Sequence, residues 1–128
     1  MSRPQPARAS ARPSIPYGGP CLGRNIEVPG EDPYQSGEYA RYFVQGFQTA
    51  PEDPGHVQAS ACCKHYVANS MESTKDASGS WTRHTIDATI TMQDLTDSYM
   101  APFQTCVEQG EVTSLMCSYN AVNVSLPP

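Results

Sequence analysis

Three short polar segments hold the residues that could do chemistry. Arg24 stands close to Glu27, Glu31 and Asp32, Lys64-His65-Tyr66 forms a second group, and Met116-Cys117-Ser118-Tyr119-Asn120 a third. A guanidinium offers fork-shaped donors and an ammonium a point donor, while tyrosine and methionine make an apolar wall. That set suits a small ligand dense in hydroxyls. Taken singly, each residue has a plainer reading. Arg24 can pair with the carboxylates beside it, a Lys-His pair on a strand can be exposed or a satisfied core group, and Met116 and Tyr119 can simply pack. Chemistry requires that the guanidinium, the Lys-His pair and the phenol meet around one hollow.

The cysteines are Cys21, Cys62, Cys63, Cys106 and Cys117. An odd number leaves at least one unpaired within the chain, and buried thiols or one disulfide in an exported protein both fit. Cys62 and Cys63 are adjacent and lack the two-residue spacer of a zinc knuckle, so no metal site is expected even with His65 nearby.

The elements that must position these groups alternate. Ser36 offers an N-cap, and Tyr39, Phe43 and Phe47 repeat at helical spacing until Pro51 and Pro54. Ala59 to Val67 is a short apolar run ending in β-formers, which predicts a strand. Asn69 to Ser80 is small and polar, which predicts a loop. Thr91 and Asp94 make a capping start for a second helix with Leu95, Tyr99, Phe103 and Val107 in phase; Pro102 must kink or divide it, and Gly110 ends it. Val112 to Tyr119 reads as a second strand. Alternating helices and strands of this length predict an α/β fold with a parallel sheet. In such folds ligands gather where loops leave the carboxyl ends of strands, and the polar segments lie at or beside those ends.

Bulk properties narrow the function. A hydrophobic content of 38%, with twelve prolines and nine glycines, falls below the roughly 45–50% of globular chains. The 128 residues suffice for one small domain and fall short of the about 250 of a complete (β/α)8 barrel. Net charge is −5 although Arg3, Arg8 and Arg12 open the chain without an acid, so the body is acidic and a nucleic-acid partner is excluded. No apolar run is long enough for a membrane-spanning helix, and the first residues lack the apolar stretch of a secretory signal. Residues 1–20, rich in proline and arginine, read as a disordered arm.

Three strings carry a resemblance: GRNIEVPGEDPYQSGEYARYFVQGFQ, ACCKHYVANSMES and TMQDLTDSYMAPFQTCVEQGEVTSLMCSYNAVN. Collinear from Gly23 to Asn123, they closely resemble family 3 glycoside hydrolases. The resemblance implies that residues 21–128 are part of a TIM (β/α)8 barrel, about two to three βα units of it. It implies a retaining, exo-acting β-xylosidase or β-glucosidase with a small carbohydrate substrate, a β-xyloside or β-glucoside. It implies no cofactor, and an extracellular setting like that of most relatives. The paired cysteines before Lys64-His65-Tyr66, the PFQTC stretch and Ala121-Val122-Asn123 resemble β-xylosidases more closely.

Residue by residue, Arg24, Lys64 and His65 match positions that hydrogen-bond the sugar bound ahead of the scissile bond. Met116 and Tyr119 match positions lining the same subsite, the tyrosine close to the nucleophile. Glu72 falls where xylosidase-like members carry an acid that can touch a distal hydroxyl. Glu27, Glu31 and Asp32 match a segment that fixes the arginine by salt bridges, and the Lys-His-aromatic turn is one where the family has non-proline cis peptides. The nucleophilic aspartate of the family lies well beyond the Ser-Tyr-Asn motif and the acid/base later still. No catalytic residue is therefore expected among these 128, and no hydrolysis by them alone. The segment before Gly23 departs from the family's Arg-Asp-Pro-Arg-Trp lead-in. A non-catalytic sugar-binding remnant or interaction module is the rival class.

Overall fold

The computed structural model describes residues 27–76 and 79–124. The arm expected over 1–20, Cys21 and Arg24 lie outside these described residues.

Asp32 and Pro33 begin the first helix, α1 (Pro33–Gln48). The Asp32 carboxylate accepts the Gln35 N–H at 2.6 Å, and Pro33 occupies the first turn, where its missing N–H leaves no bond unmade. Ser36, the cap suggested by the sequence, instead lies inside the helix and is 2% exposed. Both residues are capping types, and the proline after Asp32 decides between them. The face turned inward also differs from the aromatic spacing. Ala40 and Val44 are buried with Gly37 and Gln48, whereas Tyr39, Phe43 and Phe47 stack along the flank with ring centroids 6.0 and 5.8 Å apart. Small residues face inward because another helix approaches closely: a Cβ on Gly37 would stand 3.0 Å from Thr105 Oγ1.

Strand β1 (Cys62–Tyr66) follows, shorter than the apolar run that predicts it. The expected loop after it contains an antiparallel hairpin, β2 (Ser73–Asp76) and β3 (Gly79–Thr82), with Thr74 opposite Trp81 and Ser73 opposite Thr82. Its residues are mostly small and polar, so no apolar alternation announces it. A two-residue strand β4 (Asp87–Ala88) comes next.

The second helical segment has three parts: α2 (Met92–Asp94), a π-helical stretch (Leu95–Met100) and α3 (Ala101–Glu108). Thr91 caps it as expected, its hydroxyl accepting the Asp94 N–H at 3.0 Å. Pro102 sits in the first turn of α3 directly after the π-helical stretch, which is how the segment accommodates a missing N–H. The buried face of α3 is Pro102, Phe103 and Cys106, and Val107 lies off it at 44% exposed. Gly110 closes the segment; a Cβ there would lie 2.6 Å from the Cys106 carbonyl oxygen.

Strand β5 (Ser114–Cys117) then pairs in parallel with β1, and β6 (Ala121–Val122) in parallel with β4. Strand, helix and parallel strand thus form the unit that the alternation predicts. Ala40, Val44, Ala61, Cys63, Phe103 and Cys106 make the core between β1, α1 and α3, and Tyr66 meets Phe103 edge to face at 5.1 Å. A disulfide joins Cys63 to Cys106, while Cys62 and Cys117 are free thiols.

Gln48, 7% exposed, ties the chain ends entering the two long strands. Its Oε1 accepts the Ala61 N–H at 3.2 Å, the Thr113 N–H at 3.0 Å and the Thr113 hydroxyl at 2.8 Å. Its Nε2 donates to the Glu111 carbonyl at 2.9 Å. A hydrophobic replacement strands backbone groups that lost their water on folding. Gln48→Leu is expected to cost roughly 2–3 kcal/mol, read as a lowered denaturant midpoint at unchanged m-value.

Candidate functional site

The β1–β5 pairing sets the candidate residues side by side. Lys64 is the register partner of Met116, and the register shifts between Lys64 and Tyr66. The peptide bonds Lys64-His65 and Tyr66-Val67 are both cis, at the turn where the resemblance implies such bonds. Cys63 packs into the core, so strand alternation turns Lys64 to the other face. There its side chain is only 4% exposed, and its ammonium donates to the Glu27 carboxylate at 2.5 Å. His65 follows, its Nδ1 3.2 Å from Asn69 Nδ2.

The third polar segment is bonded onto that turn. Ser118 N–H donates to the Tyr66 carbonyl at 2.6 Å. The Ser118 hydroxyl donates to the Val67 carbonyl at 2.9 Å and accepts the Val67 N–H at 3.1 Å. Asn120 Nδ2 reaches the same Val67 carbonyl at 3.1 Å. Tyr119, held between Ser118 and Asn120, is 64% exposed, and Met116 is 47% exposed. Two adjacent strand ends therefore present an imidazole, a thioether and a phenol, with an ion-paired ammonium beneath.

Glu72 sits at the base of the hairpin. Its carboxylate is 3.3 Å from Arg83 Nη1, and the Arg83 guanidinium lies 5.2 Å from the centre of the Tyr119 ring. Sequence reasoning misses Arg83 and His84 because nothing in their spacing marks them. The proximity of a cation and an imidazole to Tyr119 depends on a hairpin without apolar period. Asp32 caps α1 and Glu27 is engaged with Lys64; the arginine-fixing role expected of Glu27, Glu31 and Asp32 concerns Arg24, outside the described residues.

An open cavity of about 400 Å³ lies elsewhere, with Gln45, Gln48, Pro51, His56, Gly110 and Glu111 among its lining. These residues belong to the end of α1 and to the loops that enter β1 and β5, at the opposite end of the strands from the Lys64-His65 turn.

Comparison with known proteins gives this arrangement its context. Residues 19–127 match the family model "Glycosyl hydrolase family 3 N terminal domain". The chain is 44% identical over 105 residues to Beta-xylosidase/alpha-L-arabinofuranosidase 1 of Medicago sativa subsp. varia and to Beta-D-xylosidase 3 of Arabidopsis thaliana, covering 81% of this chain and 13% of each relative. Among solved structures it is similar to a GH3 exo-beta-xylosidase in complex with a xylobiose aziridine probe, with a TM-score of 0.69 and 35% identity over 80% of this chain and 13% of that one. It is also similar to beta-glucosidase 3B from Thermotoga neapolitana in complex with glucose, with a TM-score of 0.67 and 32% identity over 93% of this chain and 14% of that one. The chain thus spans about an eighth of the length of these relatives. With its motifs, fold and family match in agreement, the chain belongs to the family 3 glycoside hydrolases, within their N-terminal domain.

Proposed function

We propose that these residues form the sugar-contacting wall of the glycone subsite in a retaining, exo-acting β-xylosidase or β-glucosidase, as part of a (β/α)8 barrel. Lys64 and His65, together with Arg24, hold sugar hydroxyls, Met116 and Tyr119 wall the ring, and a β-xyloside is the favoured substrate. The observation that carries the reading is the bonding of Ser118 onto Tyr66 and Val67, which fastens the segment bearing Tyr119 to the turn bearing Lys64 and His65. The two β-xylosidases at 44% identity and the paired cysteines support xylose over glucose. An extracellular site of action, which the family resemblance implies, is part of the same proposal.

Retaining hydrolysis needs two carboxyl groups about 5 Å apart flanking the glycosidic bond. In this reading both come from segments that the 128 residues do not include. Asp94 belongs to the cap of α2, bonded to Thr91, and Asp97 lies exposed on the π-helical stretch. Without a nucleophile the wall contributes little to transition-state stabilisation. The purified chain is expected to release no nitrophenol from 4-nitrophenyl β-D-xylopyranoside, and measurable turnover would refute the missing-carboxylate reading. Calorimetric titration with xylose, xylobiose and glucose tests the wall itself. Saturable xylose binding that weakens about tenfold in His65→Ala, the loss of one good hydrogen bond, is the expected result. Absence of binding to all three sugars overturns it.

A further inference from the structure

Tyr119 is bracketed by two side chains that follow β3, Arg83 and His84, and a third, Glu72, holds the arginine. Arg83 pairs through Nη1 with the Glu72 carboxylate at 3.3 Å. Its Nε donates toward His84 Nε2 at 3.4 Å, and its guanidinium carbon lies 5.2 Å from the Tyr119 ring centre. The His84 ring, in turn, lies 4.4 Å from the Tyr119 ring, tilted by 44°. A cation over one aromatic ring and an imidazole against it restrict how that ring can rotate, because each contact is lost when the ring turns away.

The bracket rests on a fixed base. Arg83 and His84 occupy a turn closed by Thr85 N–H to Thr82 O at 2.9 Å and Ile86 N–H to Thr82 O at 3.1 Å. The Arg83 N–H also donates to the Glu72 carbonyl at 3.0 Å, so backbone and side chain hold the same pair together. Beyond the turn, β4 joins β6 just after Tyr119, with Ala121 N–H on Ile86 O at 3.0 Å. Asn123 then reaches Ile90 N and O at 2.8 Å each. The turn and the tyrosine are therefore carried by one tied unit, although Arg83 and Tyr119 are 36 positions apart in sequence.

We propose that Glu72, Arg83 and His84 are positioning residues for Tyr119, setting the angle at which its ring and hydroxyl meet the sugar. The proposal rests on the sugar-site reading above. Within it Glu72 acts through Arg83, and its carboxylate serves to hold the guanidinium over the ring.

The test separates ring orientation from sugar binding. In the full chain, nuclear Overhauser contacts between the His84 and Tyr119 ring protons are followed without ligand, and xylose affinity is then measured by titration. Arg83→Met is expected to abolish the ring contacts and raise the xylose dissociation constant about tenfold, the scale of a lost partly desolvated cation–π contact. Arg83→Lys keeps a cation near both Glu72 and the ring and is expected to retain most of each signal. Glu72→Gln should weaken both. A purely structural role would lower the unfolding midpoint without rescue by lysine. Unchanged ring contacts in Arg83→Met overturn the proposal, as does unchanged xylose affinity once those contacts are lost. Should Arg83→Met fail to fold, Glu72→Gln is judged by the same criteria. A wild-type chain that binds no sugar defeats the site reading, and the ring contacts alone then decide the positioning.

Discussion

Replacing Cys63 and Cys106 together by alanine is expected to lower the unfolding free energy by about 4 kcal/mol. The disulfide spans 43 positions in sequence, and a loop of that size in the unfolded chain loses that much closure entropy when cross-linked. Both cysteines are 1% exposed and belong to the core that joins β1 to α1 and α3. Alanine leaves no buried polar group, so the change isolates the cross-link and a small loss of packing. Urea unfolding of the oxidised wild type, the reduced wild type and the double variant checks this. Reduction and double substitution should give similar midpoints, and Cys62→Ala should lie near the oxidised wild type. A double variant as stable as the oxidised chain would show that the cross-link contributes nothing.

A comparable loss is expected from breaking the pair beneath the site. The Lys64 side chain is 4% exposed against a Glu27 side chain at 25%. Glu27→Gln removes the carboxylate and leaves a desolvated cation with a far weaker partner, at a cost of about 3 kcal/mol. The double variant Glu27→Leu with Lys64→Met removes both charges and is expected to recover most of that stability, because an apolar pair needs no desolvation. Sugar affinity should follow a different pattern, falling in every variant that lacks Lys64 and staying low in the double variant. Denaturant midpoints and xylose titrations on the wild type, Glu27→Gln, Lys64→Met and the double variant would establish this. Recovery of sugar binding along with stability would show that Lys64 is only a structural cation.

Local signals in the sequence told most about what is local in the fold. Helical spacing, the Thr91 cap, the division at Pro102 and the stop at Gly110 all appear where residue chemistry predicts them. So does the alternation that leads to the parallel β1–β5 pair. The capping of α1 by Asp32 rather than Ser36 turned on Pro33, which starts the helix four residues earlier, and the buried row of small residues depended on an approaching partner helix. The Lys64–Glu27 pair crosses 37 positions and the Gln48 contacts with Glu111 and Thr113 cross 63 and 65, so no window of sequence could contain them. Lys64, His65, Met116 and Tyr119 stood out for their chemistry, and the strand register later set Lys64 against Met116. Arg83 and His84 became visible only once the hairpin was folded, because their neighbours carry no pattern.

The neighbouring thiols at the start of β1 make oxidation and strand register a single choice. Cys63 points into the helices and is cross-linked to Cys106, while Cys62 precedes it on the alternate face and stays reduced. Successive strand residues face opposite ways, so linking Cys62 to Cys106 would require β1 to slip by one position against its neighbours. That slip would also carry Lys64 from its place beside Glu27 to the helix side. Misoxidised protein would therefore lose the Lys64–Glu27 pair through a strand with its two faces exchanged, even with every residue intact.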